Sequence, residues 1–201
     1  MRQDPAGAES MLLLHWGHGI GAAFSTGGEV VNRHRGRFCE IGHWGLGNGQ
    51  GRRCRCGNAD CLETVAALWA LRPALAETMP GLPLGESELA GSLRTLDLER
   101  VPVLVTALAE VLRLTANLCR LFFPDRIVLT GPFVQNPEIF SRFVQTLAHA
   151  PLLRSLDKVS VAASTGGLEF EIAGALRDPF GIALRNLIRR GKGPLASDPA
   201  L

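Results

Sequence analysis

Hydrophobic and polar positions alternate with two different periods along this chain, and the changes of period mark out its elements. Met11–Trp16 (MLLLHW) is an unbroken apolar run of a length suited to a buried strand. Gly17-His18-Gly19-Ile20-Gly21 breaks it with a sharp turn, after which Ala22–Phe24 predicts a second strand. Thr26-Gly27-Gly28-Glu29 has the glycines of a hairpin and leads into a third short strand, Val30–Asn32. From Leu62 the period lengthens. Val65, Leu68, Trp69 and Leu75 recur at helical spacing as far as Thr78, and the prolines and glycines of Met79–Gly85 then end the helix. Glu86–Leu96 predicts a short helix with Ser87 as its cap, and Val101–Phe123 a long helix apolar enough to be central and buried. Arg126–Thr130 reads as a strand. Asn136-Pro137-Glu138 is a helix start, with a capping amide, a proline at the first position and a carboxylate in the first turn, and that helix runs to about His149. Val159–Ala163 is a further strand, followed by a turn at Thr165-Gly166-Gly167. A last helical region begins at Glu171–Arg177, is interrupted at Asp178-Pro179 and resumes to Arg190. A β-rich start followed by helices alternating with strands predicts an α/β fold with a mixed sheet.

Composition narrows the classes. The 201 residues are enough for one domain with a substantial core, and 46% apolar content argues against disorder. A net charge of +2 is too small to point to nucleic-acid binding, and pairs such as Arg52-Arg53 and Arg189-Arg190 read as solvated faces. No run is read as a transmembrane helix and no signal peptide is seen, so the expected compartment is the cytoplasm, with no membrane partner. Residues 1–10 read as a lead-in, 11–190 as the folded lobe and 191–201 as a disordered tail.

The chemistry concentrates in Glu40–Glu63 (EIGHWGLGNGQGRRCRCGNADCLE). Cys54, Cys56 and Cys61 lie within eight residues, with His43 upstream and five glycines between His43 and Cys61. Three thiolates and an imidazole form a ligand set for a closed tetrahedral zinc site, and metal binding would fold a loop with little apolar side chain of its own. A cysteine-rich loop without metal and a disulfide are the alternatives; a C-x-C pair is poorly placed to bridge to itself. Cys39 and Cys119 read as small buried hydrophobes, and His15, His34 and His149 as structural or exposed. The glycine turn at Gly17–Gly21 can offer backbone N–H groups to a phosphate, although hairpins need the same glycines for steric reasons.

Glu40-Ile41-Gly42-His43 (E-x-G-H) followed by C-x-C-G-x-x-x-C-x-E from Cys54 to Glu63 resembles the signature of the ROK family, which groups bacterial sugar kinases with sugar-responsive transcriptional repressors. The resemblance implies an α/β fold, the C-terminal lobe of an actin-like (ribonuclease H-like) sugar kinase, with an inserted zinc-binding loop over residues 40–63. It implies structural Zn2+ held by His43, Cys54, Cys56 and Cys61, and sugar hydroxyls facing Glu40, His43 and Glu63. The link from Gly36 to Glu40 is shorter than the family's usual approach to E-x-G-H.

On the nucleotide side the same resemblance places Gly17, His18, Gly19, Gly21 and Gly131 as remnants of two turns. His18 stands where the family's G-T-G-I-G has threonine, and Pro132 where a G-G-G turn has glycine. Kinases of the family carry an Asp-x-Gly-x-Thr phosphate loop and an Asn-Asp pair in their N-terminal lobe, and neither is found here, so no catalytic residue is assigned. The expected function is a sugar-sensing, zinc-binding C-terminal lobe of a ROK-type transcriptional regulator, truncated or a fragment, without the DNA-binding part. The alternatives are the corresponding lobe of an ATP-dependent ROK sugar kinase and a zinc-stabilised interaction protein without sugar binding. Expected partners are a hexose or N-acetylhexosamine, bound weakly, and a second copy in a homodimer; direct nucleic-acid binding by this chain is not expected.

Overall fold

The sheet is built outward from the apolar run at Met11. In the computed structural model, which describes residues 10–31, 39–47, 52–149 and 159–164, β1 (Met11–Trp16) pairs antiparallel with β2 (Ile20–Thr26) on one side and parallel with β4 (Arg126–Thr130) on the other. β3 (Glu29–Val30) extends the sheet beyond β2 and β5 (Ser160–Ala163) beyond β4, giving the order β3-β2-β1-β4-β5 with β2 antiparallel to its neighbours. All described residues fall in one compact unit, Met1–Thr165. The expected turn and helices after residue 164, the lead-in at 1–9, the tail at 191–201, His34, and the Gly36 approach to Glu40 lie outside the described residues.

β1 alternates: Leu12, Leu14 and Trp16 are fully buried, while Met11, Leu13 and His15 are half-buried on the opposite face. The Trp16 indole stacks on Phe133 at 4.7 Å and meets Phe143 edge-on at 6.1 Å, an arrangement that adds to its area burial. β2 is longer than the expected Ala22–Phe24. Gly21 belongs to the strand, paired with His15, and the turn shrinks to Gly17–Gly19. Gly27 and Gly28 both take positive φ, 59° and 78°, in the hairpin that follows, as a tight connection to β3 requires.

The expected helix Leu62–Thr78 is two helices, α1 (Glu63–Ala66) and α2 (Leu68–Thr78), separated by Ala67 in an extended conformation. The end of β1 supplies the reason. Trp16 Nε1 donates to Ala66 O at 2.7 Å and Leu68 N donates to Gly17 O at 2.8 Å. Backbone groups freed by the break are thereby satisfied across the core, and they fix where Glu63 stands relative to the sheet.

α3 (Glu86–Leu93) starts at Glu86 after Gly85, so Ser87 lies inside the helix and does not cap it. α4 (Pro102–Phe122) has proline at its first position and ends where Phe123 turns left-handed at φ 49°. By length and composition alone α4 could cross a membrane, contrary to the reading of the bare sequence. Here it is a core helix, burying Leu104, Leu108, Val111, Leu118 and Cys119 and packing against α1, α2 and α5. α5 (Pro137–His149) begins as expected. Asn136 is buried; its Oδ1 accepts from Glu138 N and Ile139 N at 3.0 and 3.1 Å, and its Nδ2 donates to Leu93 O and Leu96 O, each at 2.8 Å. One amide therefore caps α5 and closes the end of α3.

Candidate metal and ligand site

Two short backbone devices bring the Glu40–Glu63 signature together. Cys39 sits at φ 59°, and its carbonyl accepts from Ile41 N at 2.7 Å and Ala22 N at 3.3 Å, which folds Ile41–His43 into a 3-10 turn against β2. Its thiol is half-buried, and burial raises its pKa. Beyond the turn, Leu62 N donates to Trp44 O at 2.9 Å, and Gly45 bridges Cys61. The strand of chain carrying His43 thus runs beside the one carrying Cys61 and Glu63. Between them Cys54 N donates to Asn58 O at 2.8 Å and Gly57 N to Cys54 O at 3.0 Å, with Gly57 at φ 95°, so residues 54–58 form a tight knuckle.

The ligating atoms of His43, Cys54, Cys56 and Cys61 all lie within 4.8 Å of one another. His43 Nδ1 is 3.5 Å from Cys54 Sγ, and Cys56 Sγ is 3.6 Å from Cys61 Sγ. A tetrahedral ion with metal–sulfur bonds of about 2.3 Å spaces its ligand atoms about 3.5–3.8 Å apart, so the cluster fits one four-coordinate ion. The five cysteines are free thiols in this structure. Burial pushes the Cys61 thiol up to about 12, whereas the Asn58 backbone hydrogen bond draws the exposed Cys56 thiol below its ordinary value. A cation bound here would take its cysteine ligands as thiolates. These residues could hold a metal ion.

Glu63 opens α1 and lies against the E-x-G-H turn. A Cβ on Gly42 would stand 2.8 Å from both Glu63 Cγ and Oε1 and 2.5 Å from Ile20 O. Glycine there is a steric requirement of the close approach. Glu63 Oε1 accepts from Ile20 N at 3.3 Å, and Oε2 from Trp69 Nε1 at 3.4 Å. The Glu63 carboxylate is therefore held at the backbone between Glu40 and His43, while Glu40 is exposed at the start of the turn.

Sequence reasoning missed four contributors. Trp69 was read as a helix-face residue, yet its indole orients Glu63. Arg55, from the middle of C-x-C, lies over the Trp69 ring at 5.4 Å with Nη1 3.2 Å from His18 Nε2. His15 is neither isolated nor merely exposed: its Nδ1 is 3.0 Å from Thr130 Oγ1 and its Nε2 3.4 Å from Glu86 Oε2. Glu86 also accepts a short hydrogen bond from His18 N. An arginine inside the knuckle was the one signal available in the sequence; for Glu86 there was none. Gly131, at φ 101°, has a packing reason of its own, since a Cβ there would meet Trp16 O at 2.2 Å.

This mixed α/β arrangement is structurally similar to ROK proteins, which have the actin-like sugar kinase fold. The ROK family model matches residues 2–171, and the chain belongs to that family. It is 28% identical over 141 residues to the DNA-binding transcriptional repressor Mlc of Escherichia coli (strain K12), covering 66% of this chain and 34% of Mlc. It is 39% identical over 61 residues to a glucokinase of Halalkalibacterium halodurans, covering 30% of this chain and 18% of that enzyme. Among solved structures, a ROK hexokinase from Thermus thermophilus superposes with a TM-score of 0.60 at 27% identity, covering 81% of this chain and 54% of the hexokinase. A ROK transcriptional regulator homologous to E. coli Mlc superposes with a TM-score of 0.57 at 25% identity, covering 77% and 41%. The chain thus spans about a third of Mlc and about half of the hexokinase. Its relatives include both repressors and sugar kinases.

Proposed function

We propose that this chain is the sugar-sensing, zinc-binding lobe of a ROK-type transcriptional regulator, acting in the cytoplasm as a homodimer. The observation that carries the sugar site is the position of Glu63, locked against Gly42 by Ile20 N and Trp69 Nε1 beside the His43 turn. An ionised carboxylate with two anchored oxygens keeps lone pairs free to accept hydrogen bonds from vicinal hydroxyls. Glu40 and His43 complete a half-site in this reading, with His43 turning one ring nitrogen to the metal and the other to the sugar. Zinc is the metal because a three-thiolate, one-imidazole set suits it and leaves no open position.

The regulator is favoured over the kinase by the turns at Gly17–Gly19 and Thr130–Pro132. His18 is bulky, and Pro132 has no backbone donor and starts a 3-10 turn. The kinase reading rests on the resemblance to the Thermus thermophilus hexokinase and is kept as the second. Glucose and N-acetylglucosamine, titrated against the full zinc-loaded chain by saturation-transfer NMR, test the sugar site. Binding at millimolar sugar that Glu63→Gln weakens supports it, and equal binding by both proteins refutes it. ATP-dependent turnover of either sugar by this chain would replace the regulator with the kinase.

A further inference from the structure

Several polar groups at the exposed end of β1 converge on a single carboxylate. A Cβ on Gly17 would stand 2.5 Å from Glu86 Oε1, 2.6 Å from Oε2 and 2.7 Å from His15 Nε2, so the carboxylate lies flat on bare backbone. The His18 N–H donates to Oε1 in a short contact, and His15 Nε2 faces Oε2 at 3.4 Å while its other ring nitrogen meets Thr130 Oγ1. Arg55 Nη1 lies 3.2 Å from His18 Nε2, on the side chain of the same residue. A glycine floor, a backbone N–H and an imidazole together make an oxyanion seat. Its occupant comes from the chain itself, out of the first turn of α3.

We propose that Glu86 is a specificity-determining residue: it fills the Gly17–His18 seat from within and closes it to external oxyanions, phosphate groups above all. A tethered carboxylate competes as an intramolecular ligand, at an effective concentration on the order of millimolar or more. A phosphate would also meet a second carboxylate, since Glu63 Oε1 lies 3.0 Å from the Cβ position of Gly19. Two acids at the two ends of one turn repel an anion and leave a neutral polyol unaffected. The inference does not depend on sugar binding. The competing explanation is that Glu86 serves only as the partner of His15, in which case its removal loosens the end of β1 and creates no binding site.

The experiment titrates pyrophosphate against the full 15N-labelled chain and follows the amide signals of Gly17, His18 and Gly19. Wild type shows no saturable shift up to about 10 mM, whereas Glu86→Ala gains one with affinity about tenfold or more tighter. Glu86→Gln keeps an acceptor for His18 N but no charge, and falls between them. If the alanine variant does not fold, the glutamine variant decides alone. An identical response in wild type and in the folded variants, whether all bind or none does, overturns the proposal. Glucose added to the same samples reports on the Glu63 site separately, so a failed sugar response beside a gained pyrophosphate response leaves this inference standing.

Discussion

Gly42→Ala is the substitution that most directly separates geometry from composition in the E-x-G-H turn. The new methyl would begin 2.5 Å from Ile20 O and 2.8 Å from Glu63 Cγ and Oε1, where ordinary contacts start near 3.4 Å. Ile20 is a core residue of β2, paired with Trp16, so its carbonyl cannot recede. The 3-10 turn must lift instead, by close to an ångström, and it carries His43 with it while Glu63 is pushed off Ile20 N. Overpacking of this kind costs about 1–3 kcal/mol. In a domain of this size that corresponds to a fall in Tm of about 2–4 °C per kcal/mol, or about 2–12 °C in all. Gly45→Ala is the control in the same loop, because a Cβ there has nothing within 4 Å and no positive φ is needed; its expected effect is about 0.5 kcal/mol or less in either direction. Calorimetry of both variants, with and without a chelator, gives the comparison. The account requires Gly42→Ala to be the less stable and to release metal at lower chelator concentration. Equal behaviour of the two alanine variants would refute the reasoning about the turn.

Four further outcomes are expected. Cys56→Ser lowers zinc, measured by elemental analysis, from about one equivalent per chain to near zero, since a closed four-ligand site tolerates loss of a thiolate poorly. Asn136→Ala removes the α5 cap and leaves Leu93 O and Leu96 O without their amide donor, costing about 2–4 kcal/mol by denaturant titration. Glu86 titrates below its ordinary 4.5, chiefly through its hydrogen bond with His15. Its contribution to stability is therefore fully present above about pH 4.5 and is lost as pH falls through the depressed folded value, and Glu86→Gln should flatten that part of the acid limb in pH-dependent unfolding. Light scattering is expected to report a homodimer at micromolar concentration, and a monomer throughout the accessible range would contradict the assembly proposed.

The sheet and the longer helices were legible in the sequence because their signals are local. MLLLHW, the paired glycines at Gly27-Gly28 and Asn136-Pro137-Glu138 each specify their conformation within a few residues. The His43, Cys54, Cys56 and Cys61 cluster was legible for the same reason: these ligand types at this spacing are ones that could hold a metal ion. The break at Ala67 was not, because apolar periodicity runs through it unchanged and the groups that stabilise it, the Trp16 indole N–H and the Gly17 carbonyl, lie about fifty residues earlier. Trp69 was read as a helix-face residue, His15 as structural or exposed and Glu86 only as the start of a helix, for a related reason. Each acquires its role from a partner on another element, Glu63, Thr130 or the His18 amide, and no spacing records such a partner. The charge of Arg55 was visible, but its position over Trp69 follows from the fold of the knuckle.

The central claim is that a metal-organised loop holds a sugar half-site around Glu40, His43 and Glu63. Amide chemical shifts of the 15N-labelled chain, recorded while glucose or N-acetylglucosamine is added with zinc present and again after chelation, test it most directly. The account predicts millimolar, saturable shifts concentrated at 40–43 and 61–63, with weaker ones at 19–20, all of them lost on chelation and reduced in Glu63→Gln. Shifts that persist without metal, or that arise elsewhere in the chain, would contradict it.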